Sequence, residues 1–154
     1  MDTQPALQQA AFLRAEQGFR WEGVPVQGYK ERGTHFKDIT KQILFLDPNL
    51  ACELRYFEIG PGGHSSFERH EHMHAVMVIR GAGHCLVGEE VLPIKAFDLV
   101  TVPPLTWHQF QADSSETLGF LCLVNCERDR PHLPTDEELA ALRANPVVGA
   151  FIKT

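Results

Sequence analysis

A chain of 154 residues is one domain's length, and a domain of that size buries about 70% of its unfolded surface without disulfide or metal staples. With 44% apolar and 22% charged residues it is neither disordered nor fibrous. Lys plus Arg number 14 and Asp plus Glu 20, a net charge of −6 with histidine neutral, which excludes nucleic acid and an anionic membrane as main partners because phosphate binding needs a cationic face.

Met1-Asp2-Thr3-Gln4-Pro5 has neither the basic nor the apolar region of a secretory signal. Thr3 or Asp2 caps an expected short helix over residues 6–16, with Pro5 in its first turn and Gly18 as its stop. Gly23, Pro25 and Gly28 break the next segment into loop and short extended pieces. Ile43–Leu46 then reads as a strand ending at the turn Asp47-Pro48-Asn49. Cys52–Ile59 alternates, with Glu53, Arg55, Phe57 and Ile59 on one face and Cys52, Leu54, Tyr56 and Glu58 on the other, and ends at Gly60-Pro61-Gly62-Gly63. Short strands are expected at Ser66–His70, His74–Arg80, His84–Val87, Glu90–Ile94, Leu99–Val102, Trp107–Ala112 and Leu118–Cys126. Their turns are Gly81-Ala82-Gly83, read as a hairpin rather than a phosphate cradle, Gly88-Glu89, Pro103-Pro104 and Asp113-Ser114-Ser115. Thr135 and Glu138 form a capping box for a helix to about Arg143, and Pro146 opens a last short turn.

Such a series of short strands without intervening helices predicts an all-β antiparallel sandwich or barrel flanked by short terminal helices. The expected organisation is an N-terminal helix and arm over 1–50, a barrel over 51–126 and a helical tail over 127–154, one domain overall. Phe67, Met77, Trp107, Phe110 and Phe120 are expected in the core, some of them lining a pocket, and Arg55 and Arg80 read as solvated strand residues, with a substrate carboxylate as the other partner each could meet. Cys52, Cys85, Cys122 and Cys126 offer no CxxC pair and sit among apolar or strand-like neighbours, the pattern of buried reduced thiols in a reducing cytoplasm. The longest apolar runs are far too short to span a bilayer.

Histidine is the exception to this ordinary composition. Six of the 8 histidines lie between His64 and His108, and histidine is the commonest metal ligand and the proton carrier of neutral pH. Gly62 is followed by five residues and then Glu68, Arg69 and His70; His74 stands four beyond His70, and Gly81 seven beyond His74. Further on come Phe97-Asp98, Pro103, Leu105, His108 and Ala112. These residues resemble the two motifs of the cupin superfamily, G-x5-H-x-H-x3/4-E-x6-G and G-x5-P-x-G-x2-H-x3-N, over roughly residues 50–125. All spacings of the first motif are met, with Glu68 at the place of its first histidine and His74 at the place of its glutamate. In the second, Phe97 and Leu105 replace glycines and Ala112 replaces the asparagine. The resemblance implies a double-stranded β-helix, or jelly-roll barrel.

In this register Glu68 and His70 lie two apart on a strand and share a face. Residues 71–73 reverse the chain, His74 meets His70 across the ladder, and His108 arrives from a distant strand. Glu68, His70, His74 and His108 are then expected to hold a divalent transition metal, Fe, Mn, Ni or Zn, with two positions left open for chemistry. Glu68 could move between ligand and base, and His72, in the turn at the barrel mouth, is a candidate proton shuttle or a plain solvent-exposed residue. A rival register takes His70-Glu71-His72 as the HxH pair, at the expense of both glycine positions.

The expected function is a small-molecule enzyme of the non-heme metal dioxygenase type. Isomerase, lyase or decarboxylase chemistry fits the same ligands, and a non-catalytic small-ligand or metal-binding module is the alternative from another class. A homodimer acting on a small molecule, with no nucleic-acid or membrane partner, completes the expectation.

Overall fold

A computed structural model describes residues 12–29 and 35–154. Strands dominate: β1 (Ala15–Glu16), β2 (Arg20–Trp21), β3 (Gln27–Gly28), β4 (Lys37–Asp47), β5 (Cys52–His64), β6 (His74–Arg80), β7 (Ala82–Val87), β8 (Glu90–Lys95), β9 (Leu99–Val102), β10 (His108–Ala112) and β11 (Leu118–Asn125), followed by helices α1 (Asp136–Arg143) and α2 (Pro146–Phe151). All pairings are antiparallel, and the largest sheet runs β8-β7-β10-β5-β11-β6-β9, with β4 also on β5. β5 is the hub. It pairs with β4 and β11 along most of its length and with β10 at His64. The sheet curls on itself around Phe57, Ile59, Val76, Val78, Phe110, Leu118 and Phe120, each side chain contributing about 1.5–3 kcal/mol through removal from water.

The expected all-β barrel is what the chain forms, and the tail behaves as its sequence dictates. Thr135 accepts from the Glu138 amide while the Glu138 carboxylate accepts from the Thr135 amide, closing the capping box of α1. Pro146 is the first residue of α2, after an Asn145 cap. These helices pack Val148 and Ile152 with Phe67 and Leu86 into a second small core. That core supports the segment carrying the first-motif residues from outside.

Several local expectations need correction. Most of the helix expected over 6–16 lies outside the described residues, and its end is a strand: Ala15–Glu16 pairs with Arg20–Trp21 around Gly18. This hairpin lies on the outer face of β5, where Phe19 stacks on Tyr56 and Arg20 Nη1 donates to Glu58 Oε1 at 2.7 Å. Gly60-Pro61-Gly62-Gly63 does not end β5, which continues to His64. Gly81-Ala82-Gly83 is not a hairpin, because β6 and β7 are not partners; it carries the chain from one side of the barrel to the other. Ser66–His70 is no regular strand but makes two isolated bridges, Glu68 with His108 and Arg69 with His132. Phe67, Phe110 and Phe120 are buried and Trp107 packs on the second core, but Met77 is 39% exposed, since His74, Val76 and Val78 take the inward positions of β6.

The motif's glycine positions leave a backbone signature. Gly62 and Gly81 have φ of 69° and 67°, and Phe97 and Leu105, which stand where the motif carries glycine, have φ of 75° and 56°. The left-handed backbone persists although the glycine is gone, and an L side chain there costs roughly 1–2 kcal/mol. The Phe97 side chain is exposed and recovers little by packing. Phe97→Gly is therefore expected to be more stable than Phe97→Ala by about 1 kcal/mol in urea titrations. In an ordinary strand the order is reversed, and a more stable alanine variant would contradict this account.

Candidate metal centre

Three imidazoles converge inside the barrel. His74 opens β6 opposite Val102 and Val124. His108 opens β10, and its backbone exchanges two hydrogen bonds with Glu68, 3.2 and 3.0 Å long. His70 follows that bridge and is pinned by the Leu105 amide donating to its carbonyl at 2.7 Å. The ring centroids lie 4.9 Å apart for His70–His74, 4.8 Å for His70–His108 and 5.0 Å for His74–His108. One ligating atom from each lies within 4.8 Å of the other two, and all three residues are buried. Thus His70 and His74 do meet, but across a turn and a cavity, not across a ladder: β6 pairs with β9 and β11.

The outer nitrogens fix the rings. His70 Nδ1 donates to the His72 carbonyl at 2.7 Å and His108 Nδ1 to the Thr106 carbonyl at 2.9 Å. A carbonyl only accepts, so each Nδ1 carries the proton and each Nε2 presents its lone pair. His74 Nδ1 contacts the Cys122 sulfur at 3.2 Å, and its Nε2 is buried without a hydrogen-bond partner. A buried nitrogen with a lone pair and no donor is costly unless a cation meets it. These three residues fit a divalent metal, and imidazole nitrogens suit Fe, Mn, Ni and Zn.

Burial, and then the neighbouring imidazoles, lower His70 to about 4 and His74 to about 2, and burial lowers His108 as well. The ligands are accordingly neutral at pH 7, as metal binding requires. The unfolded chain takes up these protons near its ordinary pH of 6.5, whereas the folded barrel refuses them down to about 4 at His70. Stability is therefore complete above 6.5 and declines as pH falls through that window. The melting temperature of chelator-treated protein should drop more steeply between pH 7 and pH 4 than that of His74→Leu; parallel profiles would contradict the assignment.

Glu68 is buried and lines the same cavity, but its carboxylate lies outside the triad: Tyr29 Oη donates to its Oε1 at 3.4 Å. Burial and the facing Glu68 raise the Tyr29 hydroxyl, which stays protonated and able to donate. His72 stacks flat on His70, centroids 3.7 Å apart, and its Nδ1 lies 2.8 Å from Asp129 Oδ1. Burial alone would raise Asp129, but hydrogen bonds from the Glu71 amide and from His72 outweigh it and hold the carboxyl down at about 2. His72 is thus an ordered member of the rim and not a freely solvated turn residue; Glu71, of the rival register, is exposed and contributes its amide to Asp129.

The cavity, about 180 Å³, extends from the triad past Phe57, Phe110 and Phe120 to a rim formed by exposed Arg128 and Pro131. Several of its lining residues escaped sequence reading, among them Asp129, Arg128, Lys41 and Cys122. Asp129 and Arg128 sit in the segment after the last strand, and Lys41 lies on β4, where no motif marks them. Cys122 was legible only as a buried thiol, yet it faces Arg55 in the β5–β11 register, and Arg55 Nη2 donates to its sulfur at 3.2 Å. Burial pushes the Cys122 thiol up and Arg55 opposes the shift. All four cysteines are unpaired, but Cys52, Cys85 and Cys126 do not line this cavity. Arg55, expected to be solvated, instead points inward and lines the cavity. Arg80 does not; it joins Arg20 on Glu58 outside the barrel.

An antiparallel barrel with left-handed turns at the motif positions defines a cupin, and its inward three-histidine cluster could hold a metal. The cupin domain family matches residues 55–124. A protein of Rhodospirillum rubrum, 1-methylthio-D-xylulose 5-phosphate methylsulfurylase, is 53% identical over 87% of this chain and 86% of its own. Among solved structures, a cupin 2 conserved barrel domain protein from Rhodopseudomonas palustris is 51% identical with a TM-score of 0.89, covering 94% of this chain and 100% of that one. A cupin-2 domain protein from Rhodospirillum rubrum is 52% identical with a TM-score of 0.83, covering 90% and 94%. The chain belongs to the cupin family. None of its described helices is long and apolar enough to cross a membrane.

Proposed function

We propose that this chain is a metal-dependent enzyme that removes the methylthio group from a 1-methylthio ketose 5-phosphate, with Cys122 as the acceptor of the sulfur. The relative at 53% identity supports the substrate class. The observation that carries the reading is the thiol itself: Cys122 Sγ lies 3.2 Å from both His74 Nδ1 and Arg55 Nη2 inside the cavity. With His74 Nε2 turned to the metal, Nδ1–H donates to the sulfur, so two N–H groups converge on it, as a thiolate requires. Dioxygenase, isomerase, lyase and decarboxylase chemistry would use the same histidines but give this buried thiol and guanidinium no task.

A divalent metal on the three imidazoles would supply Lewis acidity toward the ketone oxygen next to the reacting carbon. Cys122 loses its proton to solvent and attacks the methylthio sulfur as the thiolate; the new S–S bond forms as the C1–S bond breaks, and the electron pair left on C1 is shared with the adjacent carbonyl. His72, oriented by Asp129, delivers the proton to C1. The carbon gains two electrons and the two sulfurs lose them. A second thiol from solution then displaces methyl disulfide and restores Cys122. Glu68 is proposed to complete the metal's donor set or to act as base beside it.

Incubating metal-loaded protein with 1-methylthio-D-xylulose 5-phosphate and a small thiol tests this. The expected products are the 1-deoxy ketose phosphate and a methyl disulfide, with no oxygen consumed. Oxygen uptake without methylthio release would overturn the reading in favour of the dioxygenase.

A further inference from the structure

The cavity has a second pole. Lys41 from β4, Arg55 from β5 and Arg128 from the segment after β11 line one wall. A single buried carboxylate, Glu53, serves them: Arg128 Nη1 lies 2.8 Å from its Oε2 and Arg55 Nε 3.9 Å from its Oε1. Lys41 has no ion pair of its own among the described residues, and Arg55 Nε is buried without a hydrogen-bond partner. Burial, then the facing Arg55, lowers the Lys41 ammonium, so the chain holds this cation where its surroundings oppose it. Along this wall Lys41, Arg55 and Arg128 thus set three cations beside the single carboxylate of Glu53, in a protein whose net charge is −6. The two acids that line the cavity itself, Asp129 and Glu68, lie beside the histidines, where Asp129 pairs with His72 and Glu68 accepts from Tyr29.

Such a wall of three cations fits a phosphomonoester, which carries about −1.5 to −2 at neutral pH and offers three acceptor oxygens. The wall is continuous with the reacting thiol, because Arg55 contacts both Glu53 and Cys122. A substrate with its phosphate at this pole therefore extends toward the sulfur and the triad. We propose that Lys41 and Arg128, together with Arg55, form the subsite that anchors the terminal phosphate and so selects phosphorylated over free sugars. The inference rests on the proposed function for the identity of the sugar, but not for the anion.

The test compares binding of D-xylulose 5-phosphate and D-xylulose to metal-loaded protein by calorimetry. Wild type should favour the phosphate ester, and Lys41→Met and Arg128→Met should each reduce that preference about tenfold to a hundredfold, the range for losing one charged hydrogen bond. Lys41→Arg should retain most of it. Metal content and melting temperature report whether each variant is folded. Should Arg128→Met leave Glu53 unpaired and unfold, Lys41→Met, which breaks no ion pair among the described residues, still decides. An unchanged preference in folded Lys41→Met would overturn the subsite. If methylthio release is absent but the preference falls as described, the subsite stands and the proposed reaction fails; if release occurs and the preference does not move, the reverse holds.

Discussion

Replacing Cys122 by alanine is expected to lower methylthio release by about 10³-fold or more while metal binding persists, because the nucleophile is lost and the three imidazoles are not. His74 Nε2 stays in place, since removing the sulfur releases only the contact at Nδ1. Cys122→Ser should be nearly as impaired: a hydroxyl is a far weaker nucleophile toward sulfur and forms no S–S bond. Two measurements accompany the rate. Intact-mass analysis of wild type, quenched with substrate but without external thiol, should show one methylthio group on Cys122, and the alanine variant should show none. Full activity in Cys122→Ala would remove the thiol from the mechanism and leave the metal site as the sole reacting element.

The second large effect concerns the metal itself. His74→Ala and His108→Ala should each reduce metal affinity by about 10²-fold or more, because two imidazoles hold a divalent ion poorly. Metal-induced stabilisation follows mass action: metal at 100 times its dissociation constant raises stability by about 2.7 kcal/mol, and most of that is lost in either variant. Glu68→Ala should weaken binding by about tenfold, as removal of a neighbouring carboxylate does. His72→Ala should keep its metal, since His72 Nδ1 is committed to Asp129 and its ring lies flat on His70. Elemental analysis of the four purified variants decides the register. Metal retained in Glu68→Ala and lost in His72→Ala would favour the His70-Glu71-His72 alternative.

Much of the site was legible through the resemblance to the cupin motifs. The intervals among Gly62, His70, His74, Gly81 and His108 match those motifs, and the structure adds that the backbone turns left-handed at the glycine positions. That register selected His70, His74 and His108 out of eight histidines, and the alternation of β5 put Arg55 and Phe57 on one face, which the structure turns inward. The capping box at Thr135 was equally clear, being a contact within a single turn. Where period and orientation were in conflict, period misled. Gly81-Ala82-Gly83 looks like a hairpin but bridges two sides of the barrel, and Met77 looks like core but points outward because its neighbours Val76 and Val78 point in.

What the sequence by itself determined is the set of residues able to bind metal and the strand class that gathers them. Tertiary structure decided which functional groups surround that metal. Cys122 meets Arg55 from 67 positions away, and Asp129 meets His72 from 57. Lys41 and Arg128 share a wall only because β4 and the segment after β11 flank β5 and its partner strand. Such contacts are set by strand order and register around a closed sheet, quantities fixed by the burial of the whole core and not by any local stretch of chain. The histidine cluster is therefore legible in the sequence as a set of candidate metal ligands, and the fold alone brings the Cys122 thiol and the cationic wall to it.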